Sequence, residues 1–141
     1  MNQSIEALIV AAEAVLNPVE VDGHWRGDVG AALETAEGGV YVGVSLDTGS
    51  GGLCAERAAG AAMVTAGVYH VRRVVAVWRD SRPGADRTLY VLPPCGTCRQ
   101  FIYDLAPENV ETLVVVGAQD EMPLRELLPL HGWAAKPARG S

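Results

Sequence analysis

Three cysteines stand in two separated blocks, Cys54-Ala55-Glu56-Arg57 and Pro94-Cys95-Gly96-Thr97-Cys98-Arg99. This pairing constrains the fold more than any other feature of the chain. Both blocks open segments that read as helices. Residues 54–66 are rich in alanine and stop at Gly67, and residues 98–105 follow the C-x-x-C turn. A helix N-terminus offers unpaired N–H groups and partial positive charge, which favour thiolate, the form of cysteine that binds metal. Pro94 and Gly96 permit the tight entry that aims Cys95 and Cys98 at one point. Three cysteines cannot all pair within one chain, so structural disulfides are not expected, and a C-x-x-C in a reducing compartment points to metal or redox chemistry. Soft sulfur donors at tetrahedral spacing suit zinc. A fold that uses all three must bring two helix starts to one place.

Structural zinc takes four protein ligands, whereas catalytic zinc takes three and keeps a position open. The chain offers three thiols, and none of His24, His70 and His131 lies at a familiar ligand spacing from them. A Cys₃His structural site and a redox pair of Cys95 and Cys98 stand as the alternatives. Glu56, two residues after Cys54, is too close to be a second ligand yet near enough to carry protons for hydrolysis; taken alone it also reads as a solvated first-turn glutamate. Three thiolates on Zn²⁺ sum to a net charge of about −1, too electron-rich to activate water well. Arg57, three residues after Cys54 and on the same helix face, is placed to withdraw charge from a ligand sulfur. Arg99 is a second candidate for that role.

The rest of the chain supplies a scaffold. Residues 4–16 place Ile5, Leu8, Ile9, Ala12, Val15 and Leu16 at helical spacing and end at Asn17-Pro18. Residues 29–33 and 40–46 read as a hairpin, 47–52 as a loop, 71–78 as a buried strand, 89–92 as a short apolar segment, 113–116 as a strand and 124–128 as a short helix. Strands alternating with helices imply an α/β domain with a mixed sheet. With 141 residues and 49% hydrophobic composition the chain suits one core, read as a single domain over 1–133 with a loose tail over 134–141. Lys and Arg number 11 against 17 Asp and Glu, a net charge of −6 with no basic stripe, so a small molecule is expected as partner rather than a polynucleotide. No leader and no apolar run of membrane length is apparent, and a cytoplasmic location is expected.

The two cysteine blocks resemble the zinc motifs of the cytidine deaminase superfamily, H-or-C-x-E followed by P-C-x-x-C. The likeness extends through Val29-Gly30-Ala31-Ala32-Leu33, Gly43-Val44 and Arg125-Glu126-Leu127-Leu128-Pro129, and so covers most of the chain from about residue 20. All-cysteine ligation with Arg57 is similar to the small free-nucleoside branch. The run Gly51-Gly52-Leu53-Cys54-Ala55-Glu56 and the Arg-Glu-Leu-Leu-Pro block are similar to its blasticidin S deaminase group.

That resemblance implies a three-layer α/β/α fold with a five-stranded mixed sheet, one Zn²⁺ per subunit on Cys54, Cys95 and Cys98, Glu56 as the catalytic acid–base, and a homotetramer with sites at subunit boundaries. The reaction it implies is hydrolytic deamination of a cytosine nucleoside or cytosine nucleoside antibiotic, with another aminated heterocycle, or a noncatalytic zinc-stabilised domain, as alternatives. It further implies that the Ala55 N–H holds the pyrimidine carbonyl, that carbonyls around Leu53 and Pro94 bind the amino group, and that Trp133 covers the base. Where the family carries G-V-N-x-E, this chain has Gly43-Val44-Ser45-Leu46-Asp47. Ser45 and Asp47 therefore stand where sugar-binding side chains are expected, and the aromatic that usually precedes V-G-A-A-L is absent.

Overall fold

In the computed structural model, which describes residues 2–131 and 136–140, the first amphipathic pattern forms helix α1 (Ile5–Ala14). The Ser4 hydroxyl caps it by accepting from the Ala7 amide at 3.0 Å. The chain then runs through β1 (Val19–Val21), β2 (His24–Thr35), β3 (Val40–Thr48), β4 (Gly51–Leu53), α2 (Ala55–Thr65), β5 (Val71–Arg79), β6 (Leu89–Val91) and α3 (Gly96–Leu105). A 3₁₀ turn (Pro107–Glu111), β7 (Leu113–Val115), β8 (Glu121–Pro123) and α4 (Leu124–Leu127) follow. Trp133 lies outside the described residues, as do Ala134, Ala135 and Ser141 of the expected tail.

The sheet runs β4-β3-β2-β5-β7-β8, with β1 added on β2 and β6 on β5. Only the β5–β7 pair is parallel, as expected for a mixed sheet. It has eight strands where five were expected. The segment read at 89–92 forms β6 and that at 113–116 forms β7, while β1, β4 and β8, three residues each, fall where no strand was read; runs this short carry little alternating pattern. β4 lies in the stretch read as loop, because Gly51 and Gly52 carry no side chain that would mark a strand.

Alternation along the strands divides the core into two sides. Leu33, Val74 and Val114 pack with Met63 of α2 and Ile102 of α3. Ala32, Val75, Val77 and Val115 pack with Leu8, Ile9 and Ala12 of α1. The result is three layers, α/β/α. Buried Glu34 on β2 faces Arg72 and Arg73 of β5, and Arg73 forks onto Glu121 at 2.7 and 3.1 Å, tying β2, β5 and β8 through paired charge. Among the described residues no helix is long and apolar enough to cross a membrane.

Two glycines set where α2 lies. A Cβ at Gly43 on β3 would overlap the backbone of Ala58 and Ala59, and one at Gly60 would overlap the Phe101 ring of α3. The helix that begins at Cys54 thus rests directly on the β3 backbone and close against α3. Gly43→Ala is expected to destabilise the protein by about 1–3 kcal/mol through forced separation of α2 from β3. Denaturant unfolding would show it as a lower midpoint.

Candidate active site

Helices α2 and α3 both begin at a cysteine. Cys54 and Cys95 occupy the N-cap positions with extended backbone (φ −67° in each), where Ser, Thr, Asp or Asn would normally cap. Neither sulfur caps its own helix. Instead the Cys54, Cys95 and Cys98 sulfurs all lie within 4.8 Å of one another, with Cys54 Sγ and Cys95 Sγ 3.6 Å apart. Tetrahedral zinc with bonds of about 2.3 Å separates sulfurs by about 3.8 Å, so the cluster fits that ion. All three cysteines are free, and no histidine joins them among the described residues. His24 faces Asp47, and His131 packs against Tyr103 with the two rings tilted.

The surroundings act on Cys95 and Cys98 in opposite directions. Burial pushes the Cys98 thiol up, and the Glu56 carboxylate and the neighbouring sulfurs push it further. Burial opposes ionisation of Cys95 too, but the N–H groups of Cys98 and Thr97 and the adjacent thiols outweigh it and hold this thiol below its ordinary value. Three sulfurs beside a carboxylate cannot all be anionic without a positive centre.

Glu56 is 5% exposed in the first turn of α2. Burial raises its pKa, against the opposing pull of its own backbone N–H and of Arg57. Arg57 Nη2 lies 3.7 Å from Cys54 Sγ and donates to the Gly52 carbonyl at 3.5 Å. Arg99 behaves differently from the sequence expectation. One position beyond Cys98, it is turned away from the sulfurs by the helical rotation; its Nε donates to Pro94 O at 2.8 Å and its Nη1 to Leu127 O at 3.2 Å. It joins the cysteine loop to α4 and makes no hydrogen bond to a sulfur.

A cavity of about 390 Å³ opens over the cluster, within the usual size for a small-molecule site. Glu56, Arg57, Cys54 and Cys95 line one part, and Ala55, Leu53 and Ser45 also lie on its wall. Pro94 is buried behind that wall, with Pro93 in the lining position. Asp47 lies outside the lining, its side chain 60% exposed and its Oδ2 3.2 Å from His24 Nδ1. Val29, Leu46, Gly52, Ala76, Leu92 and Pro93 complete the wall, and none of them was singled out from sequence as a site residue. Nothing in an apolar residue type separates a pocket wall from a core; strand register alone puts them here.

Arg57→Gln is expected to lower zinc affinity or turnover by about 10- to 100-fold, since it removes the cation nearest the sulfurs. Competition against a zinc-sensitive dye would measure the first, and steady-state rates the second.

A blasticidin-S deaminase from Bacillus cereus is 32% identical over 130 residues, 91% of this chain and 91% of the relative. A cytidine deaminase from Halalkalibacterium halodurans is 34% identical over 108 residues, 74% of this chain and 76% of that protein. The crystal structure of cytidine deaminase from Burkholderia pseudomallei superposes with a TM-score of 0.69 at 28% identity, covering 91% of this chain and 98% of that one. No family model matches the chain. Likeness of this extent, in a chain whose two cysteine blocks meet at one cavity beside a buried glutamate, makes the protein a member of the cytidine deaminase superfamily.

Proposed function

We propose that this chain is a zinc-dependent hydrolase that converts a cytosine nucleoside, of the cytidine or blasticidin S kind, to its uracil form with release of ammonia. The observation that carries the reading is a buried carboxylate, Glu56, in a cavity lined also by Cys54 and Cys95, whose sulfurs converge with that of buried Cys98 and have no fourth protein ligand among the described residues. That donor set is the composition of a catalytic zinc site. The relatives' names agree with it.

Zinc held by Cys54, Cys95 and Cys98 supplies Lewis acidity that lets water ionise near neutral pH. Glu56 carries the protons in two transfers: it takes one from the attacking water and passes it to ring N3 as oxygen adds at C4, then takes the second from the new C4 hydroxyl as C4=O forms and gives it to the amino group, which departs as ammonia. Its burial suits a group that must hold and release a proton in turn. Arg57 withdraws charge from the Cys54 sulfur. The Ala55 N–H, in the first turn where helix N–H groups lack an intrahelical acceptor, binds the pyrimidine carbonyl. Val29, Leu53 and Leu92 give the ring apolar contact and exclude water.

The same reading includes a homotetramer in the cytosol. Three free thiols suit a reducing compartment, and Val19, Val21, Val42 and Leu46 leave apolar surface on the sheet exposed for subunit contact. Sedimentation showing a stable monomer would refute the assembly. The function is tested by ammonia release from cytidine, deoxycytidine, blasticidin S and guanine with fully zinc-loaded protein. Turnover of a cytosine nucleoside is expected, and no turnover of any cytosine compound would reject the reading.

A further inference from the structure

Arg99 grips both peptide groups that flank Cys95. Its backbone N–H closes the first turn of α3 on Cys95 O at 3.0 Å, and its side-chain Nε–H reaches back one residue further to Pro94 O at 2.8 Å. These two carbonyls belong to the peptide planes on either side of the Cys95 Cα, so holding them holds φ and ψ there at −67° and 169°. The direction in which the Cys95 side chain leaves the backbone follows from those planes.

The local sequence leaves this task to a side chain. Leu92 N–H fastens the incoming segment to Ala76 O at 2.9 Å, but Pro93 and Pro94 have no N–H to donate. Pro94 is buried, and its carbonyl precedes the N-cap of α3, where the helical ladder of acceptors begins. A buried carbonyl needs a donor, and Arg99 supplies a charged one. The guanidinium is fixed from its far side as well: Nη1 donates at 3.2 Å to the carbonyl of Leu127, the last residue of α4. That helix is anchored in turn by Leu124 N–H on Thr112 O at 2.8 Å. The turn carrying Cys95 is thereby braced against a separate element.

We infer, resting on the zinc-hydrolase reading above, that Arg99 is a positioning residue: it acts through Pro94 and Cys95 to set the place of one zinc ligand, by geometry and not by its charge. Partners that orient a metal's ligands affect affinity or activity by about 10- to 100-fold when removed.

The test uses Arg99→Met, which keeps a long side chain without the guanidinium, and Arg99→Lys, which keeps the charge but has no planar fork to serve two carbonyls. Each protein is loaded with Co²⁺ in place of zinc, because the visible spectrum of cobalt reports the number and arrangement of its sulfur donors. Zinc release to a chelator and turnover of cytidine and blasticidin S are followed beside it. Both variants are expected to shift the cobalt bands, to release zinc about tenfold faster and to lose about tenfold in kcat with KM little changed. Variants that melt lower but keep the wild-type cobalt spectrum and zinc release would make Arg99 a packing residue and overturn the inference. Recovery of wild-type behaviour by Arg99→Lys would assign it a charge effect and overturn the inference too. Should Arg99→Met fail to fold, Arg99→Lys decides the matter alone. Wild-type protein that takes up neither metal would overturn both the inference and the reading it rests on; uptake of metal without turnover of any cytosine compound would overturn the deaminase reading alone.

Discussion

Glu56→Gln is expected to keep one zinc per chain while deamination falls by about 10²- to 10⁴-fold. The side chain sits in the first turn of α2, and the ion's place is defined by Cys54, Cys95 and Cys98 without it. Glutamine has nearly the same shape and fills the same buried volume, but it cannot take a proton from water or return one to a leaving amine. Burial already disfavours the charged form of Glu56, so a neutral amide there costs little folding stability. Metal analysis beside an ammonia assay separates the two effects. A variant that bound zinc and stayed active would refute the role assigned to Glu56; one that lost zinc would place the residue among the structural supports of the site.

Cys98→Ala has the second large effect. Cys98 is fully buried near the start of α3, and its removal leaves two sulfurs where the ion needs three protein donors. Zinc content and deamination are both expected to fall to background. Binding to the folded state alone stabilises it by mass action. The wild-type protein should therefore melt higher with zinc than with a chelator, whereas the variant should melt at about the same temperature in both. In chelator the two proteins are expected to differ by only about 1 kcal/mol, the cost of a small buried cavity. Differential scanning calorimetry with and without zinc makes the comparison. A zinc-dependent rise in the variant's melting temperature would show that Cys98 is not a required ligand.

The donor set could be read from the chain because its information is local. A cysteine at a helix start, a glutamate two positions on and an arginine one turn on keep their relation in any fold that makes the helix, and the resemblance to a deaminase rests on that order. The layered architecture was legible for the same reason, since helical and strand periods are properties of short windows. Arg99 shows where local reasoning ends: adjacent to a ligand in sequence, it turns away in space and bonds Pro94 and Leu127.

The sequence by itself determined which residues can hold zinc and move a proton, because those roles depend on residue chemistry and short spacing. Only the tertiary structure decided that the two cysteine blocks meet, through the close seat of α2 on Gly43. It also decided what the cavity presents to a substrate. Ser45 reaches the cavity wall and bonds the Val29 N–H and Asp28, while Asp47 lies outside the lining and faces His24. Hydrogen bonding to partners distant in sequence depends on strand register, which short-range patterns do not encode.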